Sequence, residues 1–568
     1  MNHPSLYRRI RRVLFGAPRD LADTGLAHRL ALVPFLAWVG LGADGLSSSA
    51  YGPEEAFKAL GQYPFLALGL AAIMAGTVLL ISAAYSRIIE EFPSGGGGYV
   101  VASKLLGPRT GVVSGCALLV DYVLTITTSI AAAGDSLFSF LPAHWLGAKL
   151  ATEVGLLILL TAINIRGVRE SVLALLPVFL LFVLTHLLLI GLGVAGHLPE
   201  LAATARQVGH DVSRGVTVLG ASGLVLLLLR AYSLGGGTYT GIEAVSNGLP
   251  IMREPRIRTG RRTMAYMASS LAFTASGLLL CYLLWHIQPV AGKTMNAVLA
   301  ETVLHGLPFA GGLVVATLFA AAALLVVAAQ AGFLDGPRVL ANMAVDSWVP
   351  HRFASLSERL TTQNGIVLMG SAALLALWYT RGDVGHLIVM YSINVFLTFS
   401  LSMFAMLRFW LGARHERPEW RRRVVLFVAG FLLCATILCI TSYEKFAEGG
   451  WITLVVTTLV ISLCFVIRSH YDHAKAMMND LMTELGDLPN RTRTNAEPPA
   501  VDPKAPTAGL LVDWYGGVGI HTLLNVFRTF PGLYRNVVFI SVGVVDSGEF
   551  KGEHAVAELE KRTQLMLD

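Results

Sequence analysis

The sequence predicts an all-α polytopic membrane protein of about twelve transmembrane helices, with a 5+5 inverted repeat whose helices 1 and 6 are broken, and a small C-terminal α/β module. Three observations carry this. The 568 residues are 54% hydrophobic and 14% charged with a mean hydropathy of +0.62, whereas an ordinary soluble domain is about 25% charged. Apolar runs long enough to cross a bilayer recur along the chain, and in lipid each must satisfy its own backbone, which leaves helices or a closed barrel. Two of these runs, five apart, are interrupted by small residues.

Residues 1–29 are basic, with Arg8, Arg9, Arg11 and Arg12 beside Leu14 and Phe15. They read as a cytoplasmic segment on the membrane surface, or equally as a frayed tail. A transporter domain over 30–468 follows, with spans expected at 30–60, 64–88, 108–138, 150–165, 170–195, 217–248, 262–286, 308–333, 365–380, 385–411, 423–442 and 449–468. The N-terminus lacks the pattern of a cleaved signal, so the first span is expected to be retained. With the N-terminus inside, the inner loops carry Arg166 and Arg169, then Arg253 to Arg262, then Arg338 and Arg352, then Arg414 to Arg423. The outer loops are poorer, holding Lys149, Arg206, Arg214, Lys293, Arg381 and Lys445. This bias predicts an even span count with both termini cytoplasmic, in a cell (inner) membrane. It also explains the net charge of +6 as topology and not as a nucleic-acid surface. The five cysteines lie in apolar runs, where a thiol behaves as a small hydrophobe. Neither a disulfide framework nor a zinc-type site is expected.

The first interruption is Gly40-Leu-Gly-Ala-Asp-Gly-Leu-Ser-Ser-Ser49, and the second is Gly235-Gly-Gly-Thr-Tyr-Thr-Gly241. Unwound backbone in a membrane must face a cavity or ligand, so matching breaks in two halves point to a substrate site near the midplane. Glycines placed for tight packing would explain either run but not easily both. Spans 1–5 and 6–10 are then the repeats, with 11 and 12 added.

Beyond the spans, 469–506 reads as a cytoplasmic linker that turns Pro-rich from Gly486 to Pro506. Within 507–568, Thr507–Val512 reads as a strand, Gly516–Phe530 as a helix, Val537–Val545 as a strand and Gly552–Leu567 as a charged helix. Two parallel strands cannot bury both faces alone. The module is therefore expected to pack on a second subunit or to be partial.

Ionisable side chains inside spans are costly and point to an ion path. Asp44 lies in the first interruption, flanked by Ser47, Ser48 and Ser49, with Tyr51 seven residues on. Asp121 in span 3 shares a helical face with Thr125 and Ser129. Glu243 in span 6 follows Thr240. Three carboxylates with hydroxyls and freed carbonyls make an anionic, all-oxygen cavity, suited to a weakly dehydrated monovalent cation. Asp44 has the alternative role of capping the second half-helix, and Asp121 that of a satisfied structural acid. An amino-acid carboxylate would be repelled by an Asp in the first break, although a polyamine would tolerate the same cavity. Sodium coupling is unpromising, since Phe309 to Phe333 offers only Thr317 as a hydroxyl. Proton coupling through a carboxylate is the simpler expectation. No catalytic residues or cofactors are expected, and a mere sensor would not need two broken helices.

Glu91-Phe-Pro-Ser-Gly-Gly-Gly-Gly-Tyr99 and Gly241-Ile-Glu-Ala244 resemble the amino acid-polyamine-organocation superfamily of permeases. Asp44-Gly-Leu-Ser-Ser-Ser-Ala-Tyr51 is similar to the first-span motif of its Kup-type potassium uptake permeases. Asp121-Tyr122 with Thr125 and Ser129, Thr240 with Glu243, and Glu448-Gly-Gly-Trp451 also look like that family. Departures are Ala43 where a glycine is common, and the lack of a proline before Ala50-Tyr51. The resemblance implies a proton-coupled potassium importer, a potassium:proton symporter acting as a homodimer. Asp44, Tyr51, Asp121, Tyr122, Thr125, Ser129, Thr240 and Glu243 would line the path, with Tyr391 in span 10 a weaker match. Asp44, Asp121 and Thr240 are the expected potassium ligands and Glu243 the proton carrier. An amino acid or polyamine permease is the alternative. The C-terminal module resembles universal-stress-protein-like domains, some of which bind a cyclic dinucleotide, and Gly516-Gly-Val-Gly519 could offer amides to a phosphate.

Overall fold

The computed structural model describes residues 31–484 apart from 94, 96, 167–170 and 358–360, together with 502, 504–512, 517–541, 561, 563 and 564. The basic segment 1–29, most of the Pro-rich linker, Gly516 and nearly all of the expected last helix lie outside the described residues.

Ten helices among the described residues are long and apolar enough to cross a membrane. They are span 2 (Pro64–Glu91), span 3 (Pro108–Phe138), span 4 (His144–Arg166), span 5 (Leu175–Ala195), span 6 (Ala205–Asn247), span 7 (Arg256–Leu284), span 8 (Ala310–Val345), span 10 (Val384–His415), span 11 (Trp420–Glu444) and span 12 (Trp451–Asp480). Span 9 is Gln363–Thr380, whose apolar mean is lowered by Gln363 and Asn364. Span 1 is two pieces, 1a (Pro34–Ser47) and 1b (Gly52–Ala59), each too short to cross alone. Together these make the expected twelve. Spans 1–5 and 6–10 form the two repeats, each opening on a broken helix, and spans 11 and 12 follow.

Span 3 is enclosed by protein along most of its length, while spans 4, 6 and 12 are largely open. The open faces carry Ile158, Leu159, Val225, Leu226, Leu459 and Val466, the surface a lipid-facing helix should show. Spans 3 and 8 approach closely because small residues line the seam. A Cβ at Gly332 would stand 3.1 Å from the Tyr122 carbonyl, and one at Gly336 would stand 3.4 Å from the Tyr122 Cβ.

Four boundaries differ from expectation. Span 1 stays α-helical through Asp44 to Ser47, tightens to a 3-10 turn at Ser48–Ala50 and breaks at Tyr51, so Asp44 sits in the last turns of 1a and not in the break. Pro53 supplies the reason, because it has no N–H and its ring would clash with the carbonyl four residues earlier in a continuous helix. Span 8 does not stop at 333 but runs through Pro337 to Val345, carrying Asp335 and also Arg338, which the Arg bias placed in an inner loop. The helix that opens span 6 begins at Leu201, within the expected outer loop, and breaks at Gly220 with φ +74°. Span 12 continues as helix to Glu484, past the expected end at 468.

In the C-terminal module Thr507–Leu511 pairs in parallel with Asn536–Ile540, and Gly517–Thr529 is the helix between them. A parallel pair needs such a crossover.

Candidate functional site

The two unwound segments lie against each other. Ser48 Oγ lies 2.9 Å from the Thr238 carbonyl, which shares the hydroxyl proton with the Gly45 carbonyl, and a Cβ on Gly52 would stand 2.9 Å from the Thr238 nitrogen. Span 6 tightens from α-helix to a 3-10 turn over Gly235–Tyr239, is extended at Thr240, turns at Gly241 with φ +76°, and resumes as Ala244–Asn247. Only glycine fits at 241 without strain, and a Cβ there would stand 2.5 Å from the Gly45 nitrogen and 2.8 Å from Asp44 Oδ2. The Asp44 carboxylate therefore rests against the span 6 break, which is not the position of a cap on helix 1b. The three serines beside it turn inward. Ser47, Ser48 and Ser49 donate to the carbonyls of Asp44, Gly45 and Leu46 at 2.8, 2.5 and 2.6 Å, closing the frayed end of 1a.

Above this junction stands a knot of hydroxyls. Tyr51 and Tyr391 meet hydroxyl to hydroxyl at 3.1 Å, and Tyr391 donates to the Gly237 carbonyl at 2.8 Å. Thr240 donates to the same carbonyl at 3.0 Å, within reach of both phenols. Tyr391, the weaker match in the sequence, is fully buried here and joins three spans.

The three acids expected from the sequence gather around this region. Asp44, Asp121 and Glu243 are all under 5% exposed. Among the described residues, Asp121 Oδ1 and Glu243 Oε2 are buried with no hydrogen-bond partner. The Asp121 carboxyl feels the charges of both Glu243 and Asp44. Thr125 and Ser129 follow on the same face of span 3, both buried. Glu243 lies against the Tyr122 hydroxyl, which also accepts from Asn247 Nδ2 at 2.6 Å. Among the described residues no three His, Cys, Asp or Glu side chains converge as a metal site. Such an arrangement can pass a weakly held cation between stations of oxygen, because binding must be firm enough to enter and weak enough to leave.

At the end formed by the 3–4, 7–8 and 9–10 connections, a cavity of about 320 Å³ has Ala50 and Tyr51 on its floor. Its wall carries Glu54, Glu55, Asp135 and Asp383 against Lys58 and Lys149. Lys58 pairs with Glu54 at 2.6 Å and Glu55 at 3.0 Å, and Lys149 pairs with Asp135. Acids outnumber bases, so the vestibule favours cations.

Three residues escaped the sequence reading. Asp335 is 1% exposed on span 8, and its charge reaches Asp44 and Glu243. Asn247 ends the resumed helix of span 6. Lys445, taken as a loop charge, is 1% exposed and donates to Ser392 Oγ at 2.8 Å, clamping the 11–12 turn onto span 10. An alternation of apolar and polar residues carries no signal for any of them.

Residues 44–464 match the family model described as amino acid permease. Over 472 residues the chain is 32% identical to the potassium transporter KimA of Bacillus subtilis (strain 168), an overlap covering 82% of this chain and 75% of that protein. Among solved structures it is similar to a Na+-coupled sialic acid symporter in its substrate-bound outward-open state. That match has 14% identity and a TM-score of 0.44, and covers 77% of this chain and 94% of the other. A manganese transporter of Eremococcus coleocola, in complex with an aromatic bis-isothiourea substituted compound, is similar at 14% identity and a TM-score of 0.41. There the coverage is 80% of this chain and 95% of the other.

Proposed function

We propose that this chain, which belongs to the amino acid permease family, is a secondary transporter that takes up potassium together with protons by alternating access. The observation that carries this is the set of buried carboxylates with unpartnered oxygens, Asp121 Oδ1 and Glu243 Oε2, beside Asp44 at the crossing of two unwound spans. A buried charge of one sign needs a partner or a proton. Potassium at Asp44, Asp121 and Thr240, with a proton on Glu243, meets that need. The relation to a potassium transporter supports the choice of ion.

An amino acid is a poor fit. In broken-helix transporters its carboxylate is held at the N-terminus of a half-helix. Here the first turn of 1b carries Pro53, which has no N–H, and the acids Glu54 and Glu55.

The distribution of Arg supports a multi-pass protein of the cell (inner) membrane with both termini in the cytoplasm, which makes the acidic cavity above Tyr51 the external vestibule. In this reading the functional unit is a homodimer, and the C-terminal module takes the phosphates of a cyclic dinucleotide at the glycine run that opens its helix. Binding of the labelled dinucleotide to the full chain, lost on Gly519→Asp, is expected. Binding that survives the change assigns the nucleotide elsewhere.

Expression in a cell lacking potassium uptake tests the ion. Growth at low potassium should be restored by the wild type and not by Asp44→Ala or Asp121→Ala. No rescue, or equal rescue by the Ala variants, removes the potassium assignment, and uptake of a labelled polyamine in its place would identify the competing substrate.

A further inference from the structure

Asp335 stands on span 8 beside the acids of the path, yet its environment is unlike that of a structural ion pair. Its side chain is 1% exposed. One oxygen, Oδ1, lies 3.5 Å from Arg338 Nη1, at the limit of a hydrogen bond, and the other, Oδ2, is buried without a partner among the described residues. Arg338 is one turn further along the same helix and 34% exposed, so it stays partly solvated and can withdraw. Gly332 and Gly336 flank Asp335 and pack span 8 onto Tyr122, the residue whose hydroxyl lies against Glu243. The Asp335 charge acts on Glu243 and on Asp44. A tight buried pair would engage both carboxylate oxygens. This one leaves one oxygen buried without a partner among the described residues and holds the other only loosely.

We infer that Asp335 is a cation-binding carboxylate on the release side of the path, and that Arg338 is the counter-ion it holds once the transported cation has left. The inference rests on the potassium reading above. A cation passing Glu243 and Tyr122 meets Asp335 next, displaces Arg338, and leaves towards the end of span 8. Arg338 then returns and opposes re-entry. The same exchange keeps the carboxylate from standing buried and uncompensated between cycles. Asp335 lies on span 8, whereas Asp44 and Asp121 lie on spans 1 and 3, and in this inference it is a station of its own, distinct from the ion at Asp44 and Asp121.

The test uses the purified full-length protein. Potassium is titrated in two ways, by uptake into liposomes and by the potassium-dependent rise of the melting midpoint in detergent. Asp335→Asn should raise the half-saturating potassium concentration roughly tenfold or more in both, the loss expected for a charged ligand. Arg338→Gln should do the opposite: half-saturation falls and the maximal uptake rate falls with it, because the ion is no longer displaced. The double variant should follow Asp335→Asn. Wild-type half-saturation in both single variants, or a lower melting midpoint with unchanged half-saturation, makes the pair structural and overturns the inference. If Asp335→Asn does not fold, Arg338→Gln decides alone, since unchanged or weaker binding there is also contrary. A wild type that neither takes up potassium nor is stabilised by it would refute the underlying function instead.

Discussion

The Tyr51 hydroxyl meets the Tyr391 hydroxyl at 3.1 Å, and Tyr391 in turn holds the Gly237 carbonyl at 2.8 Å. Spans 1, 6 and 10 are thereby joined at the floor of the acidic vestibule. Tyr51 belongs to the break in span 1 and Gly237 to the break in span 6. The two phenols thus form a bar across the route from the vestibule to Asp44.

Removing that bar should be graded. Tyr391→Phe loses two hydrogen bonds and Tyr51→Phe loses one, each worth about 1 kcal/mol. Both should raise the KM for potassium uptake, Tyr391→Phe by the larger factor. Equal effects, or none, would show that the hydroxyl knot does not take part in the path.

Glu243 is the residue assigned to the proton. Glu243→Gln cannot ionise, and its amide keeps the shape of the site. Uptake driven by a pH gradient should vanish in this variant, while potassium-dependent stabilisation in detergent remains. A variant still driven by the gradient would return the proton to another acid, with Asp121 next in line.

The crossing of the breaks depends on two glycines. A methyl group at Gly52 meets the Thr238 backbone at 2.9 Å, and one at Gly241 meets the Gly45 nitrogen at 2.5 Å where φ is already +76°. Backbone cannot yield as a flexible side chain can, so Gly52→Ala and Gly241→Ala should each cost about 1–3 kcal/mol and abolish transport. Melting curves and uptake measure the two effects. Wild-type behaviour would mean that the half-helices do not pack this closely.

Lys445 should matter more than its place in a turn suggests. It is 1% exposed and donates to Ser392 Oγ at 2.8 Å and the Ile388 carbonyl at 3.4 Å, on the turn of span 10 that also presents Tyr391. Lys445→Ala leaves those acceptors and a cavity behind, so the melting midpoint should fall and potassium affinity with it. An unchanged midpoint would show that the 11–12 turn is not held by this contact.

Much of this was legible in the sequence. Apolar runs and the Arg bias marked the spans, and the glycine runs marked the breaks, because no other residue tolerates the geometry seen at Gly241. Asp44, Asp121 and Glu243 stood out for the same reason that makes them costly in lipid. What stayed hidden was decided by tertiary contact. Asp335 lies just past the expected end of span 8 at 333, and the packing of Gly332 and Gly336 on Tyr122 carries the helix, and the acid with it, beside the path. The unwinding point of span 1 was read from Gly40 onward, whereas Pro53 and the serines 47–49 set it at Ser48–Tyr51. Lys445 looked like any loop lysine until span 10 covered it.

The central claim is a desolvated monovalent cation held between Asp44, Asp121 and Thr240. Rubidium, a heavier ion of the same charge, tests it directly through an anomalous difference map of the protein crystallised in rubidium chloride. The account predicts a compact peak bounded by those three residues, absent in Asp121→Ala. An empty site in the wild type, or elongated density of an organic amine in its place, would contradict it.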